Sequence, residues 1–153
     1  MRNPEFVKAA FSAIATRYVA TNHVLSMGVD LLWRQRVVQL VSEWKPERLL
    51  DLATGTGDLA LAILRAMPEI RLTGSDFCQP MLDVAAERGL TNLVCADAMN
   101  LPFPSASYDA VTVAFGLRNM ASYPDALKEM GRMLRPGGHL LILDFSLPEN
   151  LLK

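Results

Sequence analysis

The segment at residues 49–60, LLDLATGTGDLA, constrains the fold of this chain more than any other. A Leu-rich run with an acidic residue near its end leads into a loop with two glycines, and the loop opens into a helical pattern. Glycines let the backbone approach a ligand, because they lack a Cβ and tolerate unusual backbone angles. The free N–H groups of the following helix face the same place. Gly55, Thr56 and Gly57 therefore predict a nucleotide-type cofactor site at the carboxyl end of a first strand.

Strand and helix patterns alternate along the rest of the chain. Apolar periodicity predicts helices over residues 4–20, 28–43, 57–67, 80–88 and 124–134, and strands over 48–53, 71–76, 93–96, 108–115 and 139–145. Alternation with continuous apolar strands predicts an α/β fold, with a doubly wound, mostly parallel five-stranded sheet covered on both faces. A length of 153 residues fits one structural domain, with residues 1–45 as an N-terminal helical extension and residues 46–153 as the α/β part.

Composition excludes several classes of protein. A net charge of −1 gives no sequence-wide attraction to nucleic acid. The chain has neither an apolar run of transmembrane length nor the apolar core of a signal peptide, so a cytoplasmic location is expected. The two cysteines, Cys78 and Cys95, and the two histidines, His23 and His139, are isolated from one another. No metal site is therefore predicted.

Two cofactors compete for the glycine loop. Residues 55–60 fit the relaxed dinucleotide pattern GxGxx[GA], and Asp76 follows near the place of a ribose-binding acid, which favours an NAD-dependent dehydrogenase. Asp51 instead suits a cationic amino group or sulfonium and would repel a pyrophosphate. Asp58, at the helix start, takes the place that a phosphate would occupy. These two acids favour S-adenosylmethionine, unless Asp51 is held by backbone N–H groups and Asp58 is only a favourable helix-end charge.

Acidic residues also end the next two strands. Asp76 can accept hydrogen bonds from both hydroxyls of a ribose, and Phe77 can pack on an adenine. Asp97 can accept a hydrogen bond from the adenine amino group, while the small Ala98 leaves room for the ring. An ordinary turn is the alternative role for Asp76.

Together these residues resemble the class I S-adenosylmethionine-dependent methyltransferases, whose order of motifs they match. Longer blocks resemble the menaquinone/ubiquinone biosynthesis C-methyltransferases within that class. The blocks are LATGTGD at 52–58, AMNLPF at 98–103, FGLRN at 115–119, RMLRPGG at 132–138, LDFS at 143–146, and YVATNHVLSMG at 18–28 followed by Trp33-Arg34. The resemblance implies contacts to S-adenosylmethionine at Thr56, Asp76, Asp97 and Ala98.

The resemblance also implies a reaction, the methylation of a ring carbon of a prenylated quinol such as demethylmenaquinol or a polyprenyl benzoquinol. The guanidinium of Arg118 stays protonated, so it suits a developing phenolate oxyanion rather than the role of base. Asn119 can orient the ring oxygen, and Tyr18 can complete a lid over the quinol. A prenyl substrate lies in a bilayer, so the helix at 4–20 is expected either to touch the membrane surface or to pack as a lid.

The sequence departs from the family in three places. Tyr18-Val19 replaces the usual Tyr-Asp, and Asp144 replaces the usual Glu. The sequence ends at Lys153, where family members continue into two further strands, so these C-terminal strands are expected to be absent. An uncovered fifth strand favours pairing in a homodimer. A fragment that binds S-adenosylmethionine without catalysing transfer is therefore an alternative to the active enzyme.

Overall fold

The computed structural model describes residues 29–116 and 120–143 of the chain. The elements in chain order are α1 (Val29–Trp44), β1 (Arg48–Leu52), α2 (Asp58–Ala66), β2 (Arg71–Asp76), α3 (Gln79–Glu87), β3 (Leu93–Cys95), β4 (Tyr108–Ala114), α4 (Tyr123–Met133) and β5 (Leu134–Leu143). The predicted helix at 4–20 lies outside the described residues. Among the helices that the structure does describe, none is long and apolar enough to cross a membrane.

The five strands form one parallel sheet in the order β3-β2-β1-β4-β5. This arrangement confirms the predicted α/β fold with a parallel sheet. Because β1 pairs with β2 on one side and with β4 on the other, the connections after β1 and β4 diverge. A crevice opens at the carboxyl ends of strands at such a switch point, which is where ligands bind in open α/β sheets.

Alternate residues of the central strands feed two apolar clusters, one on each face of the sheet. On the first face, Leu49 of β1 packs with Val37 and Val41 of α1 and Ile63 of α2, all of them buried. On the second face, Leu50 belongs to a cluster that α4 closes. The second cluster is completed by Leu52, Leu101, Tyr108, Val111, Val113, Ala126, Met130 and Met133. The two clusters thus cover both faces of the sheet, and the crevice lies at the carboxyl ends of the strands.

The predicted boundary of the fifth strand is wrong. Residues 135–138 were predicted to lie between the helix at 124–134 and the strand at 139–145, but they belong to β5, which begins at Leu134 directly after α4. Tyr108 pairs with Leu134 while Ala110 pairs with His139, so a register shift absorbs the extra residues. A φ of 82° at Gly137 permits this irregular backbone, which sequence periodicity does not indicate. The other predicted elements within the described residues differ from the observed ones only near their ends.

The loops after β1 and β4 approach each other closely. Ala53 has a φ of 51° and Phe115 a φ of 59°, a left-handed conformation that is uncommon for residues with a side chain. A Cβ placed on Gly116 would overlap the Cβ of Ala53. The shape of the crevice therefore depends on the close contact between these two loops, where the backbone is strained and glycine is needed at position 116.

We predict that Gly116→Ala lowers the free energy of unfolding by about 1–3 kcal/mol, because the new methyl group forces the two loops apart. Urea denaturation measures the change through the midpoint and slope.

Gly131→Ala is the matched control for this substitution. Gly131 lies in α4, and a Cβ added there meets nothing within 4 Å. We expect the control to stabilise the protein by roughly 0.5–1 kcal/mol, since alanine is favoured over glycine in an exposed helix. Equal effects of the two substitutions would contradict the crowding at Gly116.

Candidate cofactor and active site

A cleft of about 300 Å³ lies at the carboxyl ends of β1, β2, β3 and β4. It is lined by the ends of these strands, by the loops that follow them and by the residues just before α4. The lining residues are Leu52, Ala53, Ser75, Asp76, Phe77, Cys95, Ala96, Asp97, Ala98, Met99, Gly116, Met120 and Ala121. Four of the residues predicted to contact a cofactor, Asp76, Phe77, Asp97 and Ala98, are thus brought together.

The glycine loop wraps tightly between β1 and α2. Gly55 and Gly57 have positive φ values of 57° and 89°. A Cβ on Gly57 would lie 2.5 Å from Leu90 Cδ1, so both the conformation and the close packing require glycine here. The backbone N–H of Gly57 donates to the Thr54 carbonyl at 2.9 Å, and that of Thr54 donates to the Ser75 carbonyl at 3.0 Å. These bonds fix the loop against the end of β2.

Asp76 links the glycine loop to the cleft. Its side chain is buried, and Oδ2 accepts the backbone N–H of Gly55 at 2.9 Å, while Oδ1 accepts that of Cys78 at 3.0 Å. Burial raises the pKa of this carboxyl, and the backbone N–H donors oppose the rise. A carboxylate offers about four acceptor sites, and the backbone N–H of Phe77 also interacts with this one. The group is therefore a fixed acceptor at the cleft wall, suited to a ribose hydroxyl.

Asp97 and Ala98 also line the cleft. Asp97 is exposed, and its Oδ1 accepts the backbone N–H of Met99 at 2.9 Å. Its carbonyl accepts the backbone N–H of Asn100 at 2.9 Å, which closes a turn. This turn leaves Oδ2 available to a donor in the cleft, such as an exocyclic amino group.

Asp51 lies away from this cleft, in a smaller one of about 50 Å³ that it shares with Thr54, Gly55 and Asp58. Its carboxylate is 2% exposed and accepts the hydroxyls of Thr54 and Thr112, each at 2.7 Å. Burial and, to a smaller extent, the charge of Asp76 raise the pKa of Asp51 to about 6, although the hydrogen bonds from these two hydroxyls lower it. The partners of Asp51 are thus hydroxyl groups rather than the backbone N–H groups of the alternative interpretation. That Asp51 attracts a cationic group stays a prediction.

Two arginines hold the start of α2, a role that the sequence did not predict for either of them. Arg88 Nη1 donates to Asp58 Oδ1 at 2.7 Å and to the Thr56 carbonyl at 2.8 Å. Arg34 Nη2 lies 3.5 Å from Asp58 Oδ2. Asp58 thus anchors the glycine loop to α1 and to the end of α3, in addition to its favourable place at a helix N-terminus. Arg88 stands directly before Gly89, but no local pattern indicates that its side chain reaches back to this loop.

Three predicted site residues, Tyr18, Arg118 and Asn119, lie outside the described residues. The described strand nearest to the FGLRN block is β4, which leads through Phe115 to Gly116 at the cleft. The Phe115 N–H donates to the Leu143 carbonyl at 2.6 Å, so the end of β4 is held against β5.

The electrostatics of the cleft discriminate between the two candidate cofactors. Among its lining residues in the described part of the chain, Asp76 and Asp97 are acidic and none is basic. A pyrophosphate would meet these carboxylates without a compensating cation, and Asp58 already occupies the N-terminus of α2. An adenosine bearing a cationic group instead offers hydroxyl and amino donors to carboxylate acceptors. The donor and acceptor set therefore fits S-adenosylmethionine.

Comparison with known proteins gives an independent result. A model of the ubiE/COQ5 methyltransferase family matches residues 1–153. The chain is 51% identical over 143 residues to a demethylmenaquinone methyltransferase of Thermus thermophilus, covering 90% of this chain and 65% of that protein. It is 39% identical over 156 residues to a ubiquinone/menaquinone biosynthesis C-methyltransferase of Geotalea daltonii, covering 97% of this chain and 66% of that protein. The chain spans less than two thirds of the length of these relatives.

A solved structure supports the fold. A chain of the complex between the Haloferax volcanii Trm112 methyltransferase activator and a putative methyltransferase superposes with a TM-score of 0.73, covering 92% of this chain and 62% of that one. At 24% sequence identity, this likeness concerns the arrangement of strands and helices alone.

We predict that burial of Asp51 makes stability depend on pH. Its pKa of about 6 exceeds the ordinary 3.8, so the folded protein holds the proton more tightly than the unfolded chain. The contribution of Asp51 to the free energy of unfolding is then fully present below about pH 4, falls as the pH rises to about 6, and levels off above that. Relative to Asp51→Asn, which does not ionise, the wild-type protein should lose about 3 kcal/mol across this window.

Urea denaturation at a series of pH values measures this difference. Asp83→Asn is the control, because Asp83 lies exposed on α3, where its carboxylate accepts the side-chain amide of Gln79 at 2.8 Å. This substitution also removes one carboxylate but none that is buried, so it should not reproduce the effect of Asp51→Asn. Parallel curves for the wild-type protein and Asp51→Asn would contradict the desolvation of Asp51.

Proposed function

This chain belongs to the ubiE/COQ5 methyltransferase family, and from that premise we propose that it transfers a methyl group from S-adenosylmethionine to a ring carbon of a prenylated quinol. The observation that carries the proposal is the cleft at the carboxyl ends of the strands, with acidic acceptors and no basic group among its described lining residues. This chemistry suits a cofactor that contains adenosine and no phosphate.

The chain's own residues supply the cofactor contacts. Asp76 accepts the ribose hydroxyls, Asp97 accepts the adenine amino group, and Phe77 and Ala98 enclose the ring. Gly55, Thr56 and Gly57 bring their backbone close to the amino-acid end of the cofactor. When bound, S-adenosylmethionine supplies an activated methyl group on a cationic sulfur.

The substrate class follows from the relatives. One is named a demethylmenaquinone methyltransferase and another a C-methyltransferase of ubiquinone and menaquinone biosynthesis. Demethylmenaquinol and a polyprenyl benzoquinol are therefore the two substrates that we propose. Both are lipophilic quinols with a ring carbon that becomes nucleophilic when a neighbouring hydroxyl loses its proton.

Three further residues are proposed to act on the quinol. Arg118 closely follows Gly116 in the sequence, and Gly116 lines the cleft. A guanidinium that stays protonated stabilises a developing phenolate oxyanion. Asn119 orients the ring oxygen, and Tyr18 completes the cover over the ring. Holding the ring carbon in line with the methyl donor supplies much of the rate.

We predict that the protein binds S-adenosylmethionine and not NAD in isothermal titration calorimetry. Asp76→Asn should weaken S-adenosylmethionine binding about tenfold to hundredfold, the effect of losing a hydrogen bond to a charged acceptor. An asparagine has one acceptor oxygen, and its amide N–H groups would face the backbone N–H of Gly55 or Cys78.

Asp83→Asn again serves as the control and should leave the affinity unchanged. Binding of NAD with an affinity comparable to that of S-adenosylmethionine would favour the dehydrogenase and exclude the proposed cofactor.

We predict that Arg118→Ala lowers the rate of methyl transfer by about a hundredfold, as expected for the loss of one oxyanion donor. Arg118→Lys should retain part of the rate, because it keeps the positive charge without the forked geometry. Mass spectrometry of demethylmenaquinol incubated with protein and S-adenosylmethionine detects the added methyl group.

Affinity for S-adenosylmethionine should be the same in both variants, which separates a role in chemistry from one in cofactor binding. Equal rates in the wild-type protein and both variants would remove Arg118 from the mechanism. Tight cofactor binding without transfer to either quinol would instead favour a cofactor-binding protein that lacks the activity.

A further inference from the structure

The loop between β3 and β4, residues 96–107, forms one wall of the cleft through Ala96, Asp97, Ala98 and Met99. No helix lies in this connection, so regular backbone hydrogen bonds do not hold it. The turn at Asp97 fixes only the first part of the loop. The contacts that hold the rest of the loop therefore determine the position of Asp97.

Arg132 of α4 supplies the missing contacts. Its Nη1 donates to the Phe103 carbonyl at 2.9 Å and its Nη2 to the Leu101 carbonyl at 3.0 Å. Its own carbonyl accepts the backbone N–H of Ala106 at 2.8 Å. Nη1 also donates to the Ser105 hydroxyl at 3.3 Å, so one residue binds the loop at four places. It joins two blocks, AMNLPF and RMLRPGG, that lie far apart in the sequence.

Glu129 completes the arrangement one helical turn earlier. Its Oε2 accepts the backbone N–H of Leu101 at 2.6 Å. The guanidinium of Arg132 donates to both oxygens of this carboxylate, from Nε at 2.5 Å and from Nη2 at 3.0 Å. Hydrogen bonds from Arg132 hold the pKa of Glu129 below its usual value. Leu101 is therefore held at its N–H and at its carbonyl by two charged groups that fix each other.

Leu101 transmits this arrangement to the cleft. Its side chain is 4% exposed and packs in the apolar cluster beneath the sheet's second face. The turn from Asp97 to Asn100 ends directly before it, and the backbone bonds of Asn100 and Met99 to Asp97 make that turn rigid. A displacement of Leu101 therefore moves Asp97 and Ala98.

We propose that Arg132 and Glu129 are positioning residues for recognition of the cofactor's base, and that they place Asp97 to read the adenine amino group. This inference rests on the proposed function, because it assumes that an adenosine occupies the cleft. Neither residue lines the cleft among the described residues, so their effect passes through the loop.

Arg135 provides the matched control, since it also lies in the RMLRPGG block. It forms an ion pair with Asp109, with Nε 3.3 Å from Oδ1. Asp109 also accepts the backbone N–H groups of Glu47 and Arg48, at the opposite edge of the sheet from the cleft. Arg135→Met therefore removes an arginine–carboxylate pair without touching the loop at 96–107.

Hydrogen–deuterium exchange on the ligand-free protein tests the contact directly. In Arg132→Met, amide exchange across residues 99–106 should accelerate at least about tenfold, as expected when hydrogen bonds to a charged group are lost. Arg132→Lys should give a smaller change, because an ammonium reaches Glu129 or one carbonyl but does not bridge both carbonyls. Arg135→Met should exchange as the wild-type protein does in this segment.

Calorimetry with two ligands then tests recognition. S-Adenosylhomocysteine carries the amino group, and S-inosylhomocysteine has a carbonyl oxygen in its place. The wild-type protein should prefer the adenosyl compound by at least about tenfold, since the inosyl carbonyl faces the Asp97 carboxylate. Arg132→Met should bring the ratio of the two affinities close to one, whereas Arg132→Lys and Arg135→Met should preserve most of it. A ratio does not depend on the fraction of protein that is folded.

The outcomes separate this inference from the function on which it rests. An unchanged affinity ratio in Arg132→Met, with normal binding of S-adenosylhomocysteine, overturns the positioning role alone. Failure of the wild-type protein to bind S-adenosylhomocysteine overturns the proposed function and the recognition step together. Exchange in Arg132→Met at the wild-type rate shows that Arg132 does not hold the loop and also overturns the inference.

Discussion

The hydrogen bonds that Asp76 accepts from Gly55 and from Cys78 fix the geometry on which the cleft depends. One draws the glycine loop of β1 across to the end of β2, and the other sets the start of α3. Both donors are backbone N–H groups. The Asp76 carboxylate therefore fixes the path of the backbone at these two residues. The loop can then pass over the sheet edge only with left-handed backbone at Gly55 and Gly57.

Charged side chains on the surrounding helices hold the loops by their backbone groups. Arg88 binds the Thr56 carbonyl of the glycine loop, and Arg132 binds the Leu101 and Phe103 carbonyls of the loop after β3. Each arginine is itself fixed by one carboxylate, Asp58 or Glu129. Arg88 and Arg132 thus contact the loops from outside the cleft, and neither lines it. The charged groups that the structure describes in the cleft wall are hydrogen-bond acceptors.

The features that could be predicted from the sequence are those that local patterns of residues encode. Apolar runs predicted the five strands of the sheet. The acids at the ends of β2 and β3, with the residue that follows each, predicted four residues that line the cleft. The family inferred from the motifs is confirmed. The contacts of Arg88 and Arg132 could not be predicted, because they join segments far apart in sequence and follow no period. The early start of β5 at Leu134 was missed since a Pro-Gly-Gly segment normally indicates a turn rather than a strand.

The two buried carboxylates explain why the ligand's charge matters. Burial raises the pKa of both Asp51 and Asp76, and the charge of Asp76 adds to the rise at Asp51. Ionising both at neutral pH therefore lowers the stability of the folded protein. A ligand that brings positive charge to this edge of the sheet offsets part of that loss, whereas a pyrophosphate increases it. The burial of Asp51 and Asp76 thus makes an anionic ligand at this edge of the sheet energetically less favourable than a cationic one.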